Sequence, residues 1–118
     1  MKYFNITYMN TKSIARLDEH IDRIKSEISA IGPMHPGSLS VQRRRGRDNK
    51  PYGAYWHLTW TAQGKVHTKY IPKVGLKQMR LETNNYCRFR RLIDRLVSLS
   101  IKRSLEVSAM AKSSVEGK

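Results

Sequence analysis

The sequence predicts an α+β fold: an N-terminal helix, a three-stranded antiparallel sheet, and a long C-terminal helix packed on one sheet face. Three observations predict it. Apolar residues recur at helical spacing in two long stretches, they alternate with polar residues in the stretch between, and segments rich in glycine and proline separate the patterns. The chain has 118 residues, the length of one domain. We place that domain at 11–109, after an extended arm at 1–10 and before a tail at 110–118 of disordered composition.

Lys2 to Tyr8 alternates weakly and has no turn partner nearby, hence the arm; Met9 is a second candidate start. A helix is expected from about Lys12 to Ile31, capped by Asn10 or Thr11 and stopped by Gly32 and Pro33. Its apolar residues Ile14, Leu17, Ile21, Ile24, Ile28 and Ile31 form a narrow two-position heptad seam. Such a seam fits a coiled-coil dimer or packing on another helix of the same chain. We favour the second, because so few heptads are marginal for an autonomous coiled coil.

After the linker "GPMHPG", "SLSVQRRR" (Ser38 to Arg45) alternates as a first strand. "RGRDNKPYG" is a polar loop into a second strand, where Trp56, Leu58 and Trp60 alternate with Tyr55, His57, Thr59 and Thr61. The third strand alternates Val66, Thr68 and Tyr70 with Lys65, His67, Lys69 and Ile71. A two-residue loop, Gln63-Gly64, sets Trp60 opposite His67 and mixes the faces. A three-residue loop, Ala62-Gln63-Gly64, sets Trp60 opposite Val66 and puts Gly64 where a left-handed residue is wanted. The second register is expected: tryptophans buried with Leu58, and His57, Thr59, Lys65, His67 and Lys69 together on a basic outer face.

From Gly75 to about Ala109 the sequence reads as one helix, with a candidate break at Thr83–Asn85. Tyr86, Phe89, Ile93 and Leu96 give it an apolar stripe, and Arg88, Arg91, Arg95 and Lys102 a basic one.

Charge points to the partner. Lys and Arg total 23 against 9 Asp and Glu, a net +14, and residues 33–118 hold eighteen of the basic groups and five of the acidic ones. A field of that sign attracts a polyanion. No apolar run is long enough to span a membrane, and the start lacks the apolar region of a signal peptide, so a cytoplasmic protein is expected. Cys87 is the single cysteine, which excludes an intrachain disulfide and a four-cysteine zinc site. No metal-ligand spacing, glycine-rich phosphate loop or nucleophile elbow is present, and the carboxylates beyond the first helix are scattered. Neither an enzyme nor a cofactor or metal site is expected.

The run from Pro36 to Lys73, followed by "NNYCRFRRLIDRLVSLSI", resembles a family of small bacterial proteins of unassigned function, often found near transposons and phage genes. The resemblance rests on Gly37–Val41, Pro51–Leu58, Gly64-Lys65, Tyr70–Pro72 and Tyr86–Arg90. Many members carry a cysteine knuckle between the first two strands; here that place holds "RRRGRDNK", so no metal or redox role carries over. The order of sheet and helix also resembles the arm-type DNA-binding domains of tyrosine integrases, an analogy of fold alone.

The expected function is nucleic-acid binding by an accessory protein of a mobile element or phage. Arg43, Arg44, Arg45, Arg47 and Lys50 would meet phosphates; His57, Lys65, His67 and Lys69 would face the groove or backbone, and Arg88, Arg91 and Arg95 would add contacts from the helix. A two-stranded ribbon enters the major groove of B-DNA, whereas the groove of A-form RNA resists it, which favours DNA. A larger recombinase or nucleoprotein complex is a further candidate partner. The alternative is an adaptor or inhibitor docking on an acidic or nucleoprotein partner, as a monomer or a helix-mediated dimer.

Overall fold

A computed structural model describes the backbone of residues 2–45 and 51–116 and the side chains of residues 11–43 and 55–112. The elements are α1 (Lys2–Ser29), β1 (Ser38–Arg45), β2 (Pro51–Ala62), β3 (Lys65–Ile71), a short 3-10 turn (Lys73–Gly75) and α2 (Leu76–Glu116). The fold is α+β, with the expected helix–sheet–helix order. The backbone divides into two compact units, one made of Met1–Ala30 with Arg90–Lys118 and the other of Ile31–Phe89.

α1 starts before, and α2 ends beyond, the expected bounds, while α1 stops at Ser29, two residues short of Ile31. Residues 2–10, expected as an extended arm, are the start of α1, and α2 continues to Glu116 through most of the expected tail. No glycine or proline interrupts either stretch, so nothing stops helix propagation. The candidate break at Thr83–Asn85 does not occur. Thr83 is buried and its hydroxyl donates back to the Arg80 carbonyl, while the Asn85 side chain donates to the Pro33 carbonyl at 2.9 Å. The Thr83 hydroxyl bonds back to the preceding turn without opening the helix, and the Asn85 amide ties the linker to it.

In the helical unit α1 lies antiparallel to the second part of α2. Thr11 meets Met110, Asp18 meets Arg103 and His20 meets Arg95, so partners fall in number on α2 as they rise on α1. The seam on α1 is the core: Leu17, Ile21 and Ile24 are buried, Ile28 is half-buried, and Leu92 of α2 is buried in the same unit. Asp18 takes two nitrogens of Arg103, and this hydrogen bonding, reinforced by the opposite charge, raises the guanidinium pKa above its ordinary value.

In the sheet unit the linker is tied to α2: the His35 amide donates to the Glu82 carbonyl at 3.1 Å. Gly37 follows with a φ of 116°, its backbone so close to Thr59 and Trp60 that an added Cβ would sit 2.9 Å from the Trp60 Cβ. Only glycine fits both the dihedral and the space. The sheet has strand order β1-β2-β3, all antiparallel.

The hairpin register differs from the one expected. Trp60 pairs with His67, Leu58 with Lys69 and Trp56 with Ile71. The loop is therefore the two-residue Gln63-Gly64, and both residues are left-handed, at φ 52° and 76°. The physical reason is Ile71. It is the one buried residue of β3 and must share the face of Leu58, while Val66 and Tyr70 stand exposed on the other side. That slip of one residue swaps every β3 side chain to the opposite face. Leu58 is buried, as expected, but Trp56 and Trp60 are only half-buried. The first part of α2 covers the Leu58 face, where the Arg80 guanidinium lies 4.6 Å from the centre of the Trp56 ring.

Candidate nucleic-acid interface

Pairing and strand alternation sort the sheet into two faces. Leu39, Val41, Arg43, Trp56, Leu58, Trp60, Lys65, His67, Lys69 and Ile71 share the first. Ser38, Ser40, Gln42, Tyr55, His57, Thr59, Thr61, Val66, Thr68 and Tyr70 share the second. The expected basic outer face therefore does not form. His57 is parted from Lys65, His67 and Lys69, and the described side chains of the second face include no Lys, Arg, Asp or Glu.

The basic groups of β3 instead form an exposed row at the hairpin end of the first face. His67 stacks on Trp60, with ring centroids 5.2 Å apart and planes at 19°. On the linker, His35 meets the same indole edge-on, at 4.8 Å and 87°. Trp60 thus sits between two imidazoles, with Lys65 and Lys69 flanking His67. Cationic tips around a partly open indole can meet phosphates and a flat ring together.

The second face is polar and aromatic. Tyr70 lies 6.0 Å from Tyr55 and 6.2 Å from His57, ring centre to ring centre. The hydroxyls of Thr59 and Thr68 pair across the strands at 3.4 Å. The Nε2 atom of His57 is buried and has no hydrogen-bond partner among the described residues. Tyr55 lies on the face opposite the tryptophans, as its alternation predicts, whereas the expected three-residue loop turns Tyr70 inward; the signal that places Tyr70 outward is the apolar Ile71 among the lysines.

Of the other expected contacts, Arg43 is exposed at the far end of the first face, across from Ala54. Arg44 and Arg45 lie on β1, but their side chains, like Arg47 and Lys50, fall outside the described residues. Arg88, Arg91 and Arg95 are all exposed on α2. Arg88 belongs to the sheet unit and Arg91 and Arg95 to the helical one, where Arg95 lies 3.3 Å from the His20 Nε2 atom. Arg80 was not among the expected residues; its place over Trp56 comes from the packing of α2 on the sheet, which no local pattern announces. Among the described residues no three or more His, Cys, Asp or Glu gather to hold a metal, and no helix is long and apolar enough to cross a membrane.

Residues 14–81 match the family model described as a domain of unknown function, DUF6788. The chain belongs to the DUF6788 family. The DUF6788 match takes in most of α1, the linker, the whole sheet and the start of α2, and it ends before Arg88. The hairpin with its basic row thus lies within the DUF6788 domain, whereas Arg88, Arg91 and Arg95 lie beyond it. No curated protein and no solved structure shows a match to the chain.

Proposed function

We propose that this protein is a basic nucleic-acid-binding accessory protein of a mobile element or phage, acting on DNA. One observation carries the reading: Lys65, His67 and Lys69 stand exposed in a row on one face of β3, without an acidic residue in the strand, and His67 lies on Trp60. Lys65 and Lys69 on one strand face, with no acid between them, repel one another, and a phosphate backbone turns that repulsion into attraction by counterion release. The net charge of +14 supports it, as does the dense set Arg43, Arg44, Arg45, Arg47 and Lys50 in the sequence. The link to mobile elements rests on the sequence resemblance. In this reading the protein binds rather than catalyses, and a recombinase or nucleoprotein complex is what it would serve.

The deciding experiment is a mobility shift with duplex DNA, single strands and structured RNA at low and high salt. DNA binding that falls steeply with salt, and weakens on changing Lys65 and Lys69 together to Ala, is the expected result. No shift with any nucleic acid at low salt would overturn it. The second reading, an adaptor or inhibitor docking on an acidic or nucleoprotein partner, then takes its place. It draws on the stripe of Val97, Ile101 and Leu105 on α2, each more than half exposed. The α1 seam does not serve that purpose, since Ile21 and Ile24 are buried within one chain.

A further inference from the structure

We infer that the second face of the sheet is a binding site for unpaired nucleobases, with Tyr70 as its stacking platform. The inference rests on the nucleic-acid reading and narrows its ligand to a single strand.

The chemistry of the face selects the ligand. Phosphates need cations, and among its described side chains this face offers none: those ten positions carry only hydroxyl, amide, imidazole, phenol and one valine side chain. What it does offer is ring surface and hydrogen-bonding groups. Tyr70 is 50% exposed, in an edge strand, with the rings of Tyr55 and His57 beside it. Ser40 lies across from His57 on β1, and the Thr59–Thr68 hydroxyl pair is one step along the strands. The buried Nε2 of His57 has no partner among the described residues, so one hydrogen-bonding group at the floor of the face is unspent. Bases in a duplex are already stacked and present no planes. Unpaired bases present both their planes and their edges, which this set of groups can take.

The geometry of β3 joins this face to the basic row. Successive side chains of a strand point to opposite faces. Lys65, His67 and Lys69 therefore leave one side of the sheet edge, and Val66, Thr68 and Tyr70 the other. Alternate residues repeat every ~6.6–6.8 Å along a strand, a spacing close to that of successive phosphates in an extended single strand. A strand of nucleic acid running along this edge would place its phosphates against the lysines and turn bases over Tyr70.

Fluorescence anisotropy of the full chain, with a labelled oligo-dT and a duplex of the same length, tests this. Tyr70→Ala should weaken oligo-dT binding about tenfold, the scale of one lost base stack. It should leave duplex binding and both salt slopes unchanged, because no phosphate contact is removed. Tyr70→Phe should keep oligo-dT affinity. Tyr70→Ile, which preserves a strand-forming side chain without the ring, should lose as much as Tyr70→Ala and so separates stacking from folding. The loss is expected on oligo-dT and oligo-U alike, and the tighter of the two tells a DNA from an RNA strand. If the parent binds both probes and the Tyr70 variants match it, or lose duplex and single strand equally, this assignment fails while the nucleic-acid reading stands. If the parent binds neither probe at low salt, both fail together.

Discussion

His67 sits directly opposite Trp60 across the β2–β3 hairpin, and the two rings lie nearly parallel. That pair fixes the register and makes it testable. In a two-residue hairpin the pair next to the loop is hydrogen-bonded and the following pair, here Thr61 and Val66, is not, which brings its Cβ atoms close. With Cys87 changed to Ser, Thr61→Cys combined with Val66→Cys should form a disulfide on mild oxidation. Free thiols that persist under oxidant would speak for a different loop.

The loop itself makes a second prediction. Gln63 holds a φ of 52°, which costs an ordinary side chain about 1 kcal/mol and asparagine less. Gln63→Asn should raise stability by about 0.5 kcal/mol. Gly64→Ala should lower it by roughly 1 kcal/mol from backbone strain alone, since an added methyl there meets nothing within 4 Å. Urea unfolding of the two variants should therefore move the midpoint in opposite directions.

Gly37 is the harsher case. Its φ of 116° and its approach to Thr59 and Trp60 act together, and backbone atoms cannot swing aside as a side-chain tip can. Gly37→Ala should cost about 2 kcal/mol or more. Thermal melts followed by tryptophan fluorescence would show it, and a melting temperature equal to the parent's would mean that the linker enters the sheet differently.

These outcomes bear on what could be read from residues alone. The α1 seam was legible because Leu17, Ile21 and Ile24 repeat at spacings that only a helix puts on one face, and no other arrangement competes. The three strands were legible for the same reason at period two. The hairpin register was not. β3 carries Val66 and Tyr70 on one face and Ile71 on the other, and Gly64 suits either loop. The choice falls to the face that α2 covers, a long-range fact. The basic row could thus be listed by residue but not assigned to a side, and Tyr70 could not be seen as exposed. Arg80 against Trp56 depends wholly on that same packing.

Ile24 is the most enclosed of the described residues of the helical unit, 2% exposed. Ile24→Asp should cost about 3 kcal/mol or more, because an unpaired carboxylate cannot be hydrated there. Chemical unfolding monitored by circular dichroism would measure it. An unchanged unfolding midpoint would sink the assignment of this seam as core.

The arginine-rich stretch yields a prediction that stands apart from the sheet. Changing Arg44, Arg45 and Arg47 together to Ala should weaken DNA binding for all sequences alike. It should also flatten the log–log salt dependence by about 2–3, one counterion for each lost contact. Binding isotherms at several salt concentrations give the slope directly. A triple variant with the parent's affinity and slope would remove this stretch from the interface.

β3 is an edge of the sheet, and its outer row of amides and carbonyls faces no further strand among the described residues. An open strand border of that kind invites another chain to join it, and side-chain charge along the border is the usual deterrent. Lys65 and Lys69 stand where the deterrent is needed. The groups assigned here to phosphate are thus also the ones that keep neighbouring copies from zipping together. Neutralising them, by substitution or by a bound polyanion, should make the protein prone to self-association. A preparation lacking both lysines should turn turbid sooner on concentration than the parent.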